Sequence, residues 1–323
     1  MYKNFFGLKD SPFSFSPDPR YLYCTKTTQE ALAALTYGIQ SRKGFILLTG
    51  EVGTGKTTLL NRMLDWSREH DVATAFVFNS QLLSISELFD FMMADFEIPC
   101  ESRLKSHVVL KLTQWLLDRY RAGKTSVLIV DEAQNLSDQV LEEIRMLTNL
   151  ETSTGKLLQI VLSGQPELDE KLKRPQLRQL RQRIVFRCRT VPLTMEETYG
   201  YINERLRIAG SNGQPIFSAE AMDAIYRYSQ GIPRVVNLLC EHALVNSFVE
   251  GVQPVPAPVV DEIAREFQLD EPVPVTPQAP WSDVQQKDLR EQVEALLQSL
   301  SNVSRPSTQS QSEPGSLRKG SYE

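Results

Sequence analysis

Two hydrophobic patterns alternate along the first part of the chain. Apolar runs at 45–49, 126–130 and 157–162 are nearly continuous, as expected for strands buried on both faces of a parallel sheet. Stretches 73–79 and 184–191 add two more strand candidates. Between them, apolar residues at helical spacing predict helices at 28–41, 56–69, 84–95, 103–122 and 141–150. Strands separated by helices predict an α/β fold, a parallel sheet sandwiched between helical layers.

From residue 194 the pattern is helical throughout, at 194–209, 218–229, 233–250 and 259–267. Thr194 with Glu197 predicts a capping box, and Ser218 followed by Glu220 is a weaker start signal. A domain boundary is therefore placed near 193, dividing an α/β core (27–193) from an all-helical lid (194–267). Residues 1–26 hold Phe5, Phe6, Phe13, Phe15, Tyr21 and Tyr23 among Pro12, Pro17 and Pro19. That density of proline opposes a helix and predicts an extended arm that buries its aromatic rings. Beyond 268 a proline-rich linker leads to a short amphipathic helix at 281–300, carried by Leu289, Val293, Leu296 and Leu300, and then to a disordered tail.

Composition narrows the class. The 323 residues are 41% hydrophobic and 23% charged, with a formal charge of -5. This excludes a disordered chain and gives no global basic field for nucleic acid. Four scattered cysteines and three histidines suit reduced structural thiols and argue against a histidine-based metal site. No apolar run approaches the roughly 20 residues of a membrane span, and the charged N-terminus is no signal peptide. A soluble cytoplasmic protein is expected.

The chemistry is concentrated at the exits of the predicted strands. Gly50-Glu51-Val52-Gly53-Thr54-Gly55-Lys56-Thr57 matches G-x-x-x-x-G-K-[ST] between a strand and a helix. Its glycines let backbone N–H groups turn toward phosphate oxygens, and the next helix adds its positive end. Lys56 suits the β- and γ-phosphates, Thr57 a Mg²⁺ position, and Thr58 the edge of the α-phosphate. The strand at 126–130 ends in Asp131 and Glu132, which suit Mg²⁺ and the general base that activates water. Ser163 and Gln165 leave the next strand, where either one orients the water or contacts the γ-phosphate, or the pair forms an ordinary turn. Arg174, Arg178, Arg181 and Arg183 leave three readings open. They are a solvated helix face, an arginine finger (Arg183 or Arg181) for a neighbouring subunit, or, as the weakest reading, a patch for DNA phosphates. Arg234 follows Gly231-Ile232-Pro233 at a helix start, and either opens that helix or reaches nucleotide from the lid.

Seven motifs in fixed order carry a resemblance over residues 1 to about 267: MYKNFFGL…PF…PDPRYLY, Tyr37-Gly38-Ile39, GFILLTGEVGTGKTTL, VDEAQNLS, LSGQPEL, LRQLRQRI and GIPRVVN. The chain resembles the AAA+ ATPases and, within them, the general secretion pathway protein A (ExeA) family. MshM-type pilus ATPases and exosortase-associated ATPases look similar, and transposition regulators of the TniB and MuB type more distantly so. The resemblance implies a P-loop core with a helical lid, ATP and Mg²⁺ as cofactors, and nucleotide held between subunits of a homo-oligomer. It implies phosphate binding by residues 50–58, Mg²⁺ and water at Asp131 and Glu132, and sensor 1 at Gln165 or Ser163. It also implies the finger at Arg183 and sensor 2 at Arg234. The expected role is assembly or export of a secretion, pilus or exopolysaccharide system, with envelope proteins as partners and any inner-membrane attachment made through them. The alternatives are an ATP-dependent DNA-binding regulator and a nucleotide-gated scaffold with little turnover.

Overall fold

In the computed structural model, residues 1–16, 18–78, 84–102 and 104–269 are described. The amphipathic helix at 281–300 and the tail expected after it lie outside the described residues. Five strands pair in parallel: β1 Phe45–Gly50, β2 Ala73–Val77, β3 Ser126–Val130, β4 Gln159–Gly164 and β5 Ile184–Thr190. Their order is β2-β3-β4-β1-β5, so β1 lies inside the sheet and β5 forms one edge. Every residue of β1, β3 and β4 is buried, which is why these runs show no polar alternation.

The helices are α1 Tyr2–Phe5, α2 Lys26–Gln40, α3 Lys56–Glu69, α4 Ile85–Asp95, α5 Lys105–Arg121 and α6 Asp138–Leu147. They continue as α7 Pro166–Leu172, α8 Arg178–Arg181, α9 Met195–Ile208, α10 Ala219–Ser229, α11 Pro233–Glu250 and α12 Ala257–Glu266. Both the Ser84/Glu87 and Thr194/Glu197 pairs close capping boxes, which fixes the starts of α4 and α9. Leu47, Val130 and Leu162 pack on one side of the sheet with residues of α4 to α7. Ile46, Leu48 and Val161 pack on the other with Leu35, Ile39, Leu59 and Leu60 of α2 and α3. A third cluster fills the interior of α9 to α12.

Several elements differ from their expected form. The arm is only partly extended, because α1 lies ahead of the first proline, Pro12, and Pro19–Tyr21 forms a 3-10 turn capped by Asp18. Its Phe6, Leu8 and Phe13 are buried in the α9–α12 cluster, and Lys9 and Asp10 N–H both donate to the Ala209 carbonyl. Helix α6 starts at Asp138 rather than 141, since the Ser137 hydroxyl accepts from Val140 N–H and caps it. Strand β4 runs two residues later than expected; Leu157 and Leu158 are buried but precede the ladder. Helix α7 was not anticipated, being too short to show periodicity, and Pro166 at its first turn is its one signal. The cysteines are all free. Burial pushes the Cys188 thiol up to about 12 and the Cys240 thiol well above its ordinary value, so both stay protonated as packing groups. Among the described residues, no helix is long and apolar enough to cross a membrane.

The connection from β5 into the helical region is fixed at one contact. Leu193 N–H donates to the Gly231 carbonyl at 2.8 Å. Gly231 has φ +73°, and a Cβ there would lie 1.9 Å from the Leu193 carbonyl oxygen. Substituting Gly231→Ala is therefore expected to cost about 3 kcal/mol or more, from the clash plus the left-handed backbone. Denaturant unfolding monitored by circular dichroism measures the loss.

Candidate active site

The phosphate loop follows directly from β1 and opens α3. Gly53 and Gly55 take φ of +80° and +93°, conformations that glycine adopts without strain. A Cβ on Gly50 would lie 2.0 Å from Thr190 Oγ1, so the loop approaches β5 more closely than any side chain allows. Thr54 and Thr190 hydroxyls share a hydrogen bond of 2.7 Å across the same contact. Gly55 provides no side-chain cap for α3, which leaves the first-turn N–H groups of a 14-residue helix directed at the loop. That arrangement attracts anions.

Lys56 is 6% exposed, and its Nζ donates to the carbonyls of Gly50 (2.8 Å) and Glu51 (3.0 Å). Burial pulls its pKa below the ordinary lysine value, while the charges of Glu132 and Asp131 oppose that shift. Thr57 Oγ1 donates to Asp131 Oδ2 at 3.2 Å, and Asp131 Oδ1 accepts from Glu132 N–H at 3.0 Å. A hydroxyl beside a carboxylate is a hard oxygen donor pair, the kind that fits Mg²⁺ when phosphate oxygens and waters complete its octahedron. Among the described residues, no cluster of three His, Cys, Asp or Glu forms a metal cage.

Glu132 lies one residue beyond the metal pair, at φ +52°. The side-chain amides of Gln134 and Gln165 both donate to its Oε2, and the side-chain Oε1 of Gln134 accepts from the Gln165 backbone N–H at 3.1 Å. Gln165 thus meets Glu132 directly. Ser163, the other sequence candidate, is buried in β4, and its hydroxyl has no hydrogen-bond partner among the described residues. Gln134 was not singled out from the sequence; its signal is its position three residues after Asp131. It also explains Gly164, where a Cβ would lie 2.7 Å from Gln134 Oε1. Lys171 of α7 holds this loop from beneath, its Nζ donating to the carbonyls of Gln134 (3.0 Å) and Leu136.

The remaining candidates are spread around these groups. Arg234 N–H donates to the Gly53 carbonyl at 3.2 Å, and a Cβ on Gly53 would lie 2.8 Å from Arg234 Cβ, so α11 starts on the phosphate loop. Thr58 faces a cavity with Thr54 and Gly55, whereas Val52 is half exposed. Arg183 Nη1 donates to Thr148 Oγ1 at 2.6 Å, and Arg181 is exposed. Ile184 pairs with Phe45 at the start of β1. Arg183 therefore lies a full strand, about 17–20 Å, from the loop at the far end of β1. Any phosphate that Arg183 or Arg181 meets belongs to another molecule. The sequence also gave no sign of the cavity running away from Gly55, which Tyr21, Tyr23, Val191, Tyr201 and Pro233 line.

A family described as AAA domain matches residues 39–172. General secretion pathway protein A of Aeromonas hydrophila is 46% identical over 252 residues, 78% of this chain and 46% of its own length. The chain thus carries an AAA domain at residues 39–172. It spans about half the length of that curated relative. Among solved structures, the ADP form of the Aeropyrum pernix ORC2 protein superposes with a TM-score of 0.63 at 14% identity, covering 92% of this chain and 90% of that one. Drosophila ORC bound to DNA gives 0.63 at 18% identity, covering 92% and 78%. The Thermotoga maritima RuvB branch migration motor gives 0.53 at 15%, covering 78% and 74%. At these identities the likeness is one of fold.

Lys171→Met removes the donor to two loop carbonyls. The expected result is a local loss of about 1–3 kcal/mol, read as faster amide hydrogen exchange over 132–136 with the global unfolding midpoint little changed.

Proposed function

We propose that this AAA+ protein is a Mg²⁺-dependent ATPase that works as a homo-oligomer in the assembly or export of a cell-envelope structure. The observation that carries the reading is the convergence of Lys56, Thr57–Asp131 and Glu132–Gln134–Gln165 at one edge of the sheet. Phosphate recognition is assigned to the backbone of residues 50–58 together with Lys56. Thr57 and Asp131 hold Mg²⁺, which when bound neutralises developing charge on the phosphoryl oxygens. Glu132, oriented by two amides, accepts a proton from the attacking water. Arg234 reaches the nucleotide from the lid (194–267), and Arg183 or Arg181 completes the site of the adjacent subunit.

Adenine nucleotide is favoured by the ADP and ADPNP forms named for the archaeal neighbour. The envelope role is favoured by similarity to general secretion pathway protein A, with envelope assembly proteins as partners and the inner membrane approached through them. A second reading, an ATP-dependent DNA-binding regulator, draws on Arg174, Arg178 and Arg181, all exposed along one segment. The scaffold reading predicts nucleotide binding without turnover.

Lys56→Ala is expected to abolish nucleotide binding. Glu132→Gln is expected to bind ATP but turn it over at least about 100-fold more slowly. Wild-type turnover by Glu132→Gln would remove the base assignment. Turnover per protomer is expected to rise with protein concentration, and to lose that rise in the double variant Arg181→Ala/Arg183→Ala. A salt-sensitive, ATP-dependent gel shift with no concentration effect on turnover would favour the DNA reading.

A further inference from the structure

Helix α9 buries a guanidinium on which the charge of Asp18 acts from beyond ion-pair distance. Arg205 is 6% exposed, and among the described residues no carboxylate lies within ion-pair distance of it. Its Nε donates to the Pro12 carbonyl of the arm, and Nη1 donates to the Tyr201 hydroxyl at 2.9 Å. Tyr201 in turn donates to Asn237 Oδ1 at 2.8 Å, so that hydroxyl is held in place. The Tyr21 ring lies 4.5 Å from the guanidinium carbon and the Tyr201 ring 5.2 Å from it. The second terminal nitrogen, Nη2, donates to none of the described residues. That nitrogen is not sealed from solvent, so it is open to an acceptor that enters beside it.

Arg205 lines the same cavity as Gly55, Thr58 and Thr190. The two ends of that cavity differ in chemistry. One is the phosphate loop. The other is made of Tyr21, Tyr23, Val191, Tyr201, Pro233 and Arg205, aromatic and aliphatic surface around one fork of N–H donors. With the phosphates of a nucleotide on the loop, its base is directed to that second end.

We propose that Arg205 reads the base of the bound nucleotide, with Nη2 donating to a ring nitrogen of adenine; this rests on the adenine-nucleotide reading above. A guanidinium has donors only, so it matches a ring nitrogen and not the exocyclic amine. The tyrosines supply flat apolar surface beside it. Because Nε of the same group holds the Pro12 carbonyl, base recognition and docking of the arm share one side chain.

The test titrates the full chain calorimetrically with ADP and with three analogues in which N1, N3 or N7 is replaced by CH. One analogue is expected to bind about tenfold more weakly than ADP, as for loss of a hydrogen bond to a charged donor, and the other two to bind within about threefold. In Arg205→Gln and Arg205→Lys, the penalty for that analogue relative to ADP is expected to shrink to about twofold or less. A residue that only clamps the arm to α9 would weaken ADP and all three analogues alike, leaving the penalty intact, and that result overturns the proposal. ADP bound normally with all three analogues equal to it in the wild type overturns it as well, even where the variants fail to fold. Absence of any ADP binding overturns the nucleotide reading and this proposal together.

Discussion

A buried carboxylate on the seven-residue helix α7 ties the start of the phosphate loop to the edge strand β5. Asp169 accepts from Thr49 Oγ1 at 3.2 Å and from Arg187 Nη1 at 3.1 Å, with Arg189 Nη2 at 3.8 Å. Thr49 is the residue before the phosphate loop, and Arg187 and Arg189 belong to β5, whose Thr190 supports that loop from the side. Burial lowers the pKa of both arginines, and the Asp169 charge opposes the shift. Breaking such a half-dry pair by deleting one partner strands the other charge, which costs far more than the pair contributes. Gln165, the residue before this helix, donates to Glu132, and the helix carries Lys171, which holds the loop of Gln134. One short element thus sets the relation between the phosphate loop, the Glu132–Gln134–Gln165 cluster and the edge strand.

Much of this arrangement could be read from the chain. The buried strands were legible because a parallel strand covered on both faces is mostly apolar, and β1, β3 and β4 hold unbroken apolar runs at 45–48, 127–130 and 160–162. The capping box at Thr194 was legible because a side chain three residues from its partner is a local rule; the matching box at Ser84 was there to be read and was not singled out. The glycines and lysine of the phosphate loop, and Asp131-Glu132, were legible because the chemistry narrows which residues can serve.

What stayed hidden depends on contacts between distant segments. Helix α7 is seven residues long, below the length at which periodicity speaks. Gln134 gains its meaning only when β4 brings Gln165 alongside, 31 positions later. Arg205 sits in a run of charged residues on α9 that reads as solvated surface, and nothing local says that Pro12, 193 positions earlier, closes over it. The arm read as a source of buried area, yet its Tyr21 and Tyr23 also form a cavity wall, which no pattern within residues 1–26 encodes.

The lysine of the phosphate loop has a further consequence. Its ammonium is already stripped of most of its water and bonded to two carbonyls of its own loop. An arriving phosphate oxygen therefore does not desolvate a hydrated cation; it competes with Gly50 and Glu51 for a proton donor that is already dry. Affinity for an anion at this loop thus reflects an exchange of acceptors rather than the full attraction between opposite charges. Weak monovalent anions should lose that competition, while a polyphosphate that also engages the open end of α3 should win it.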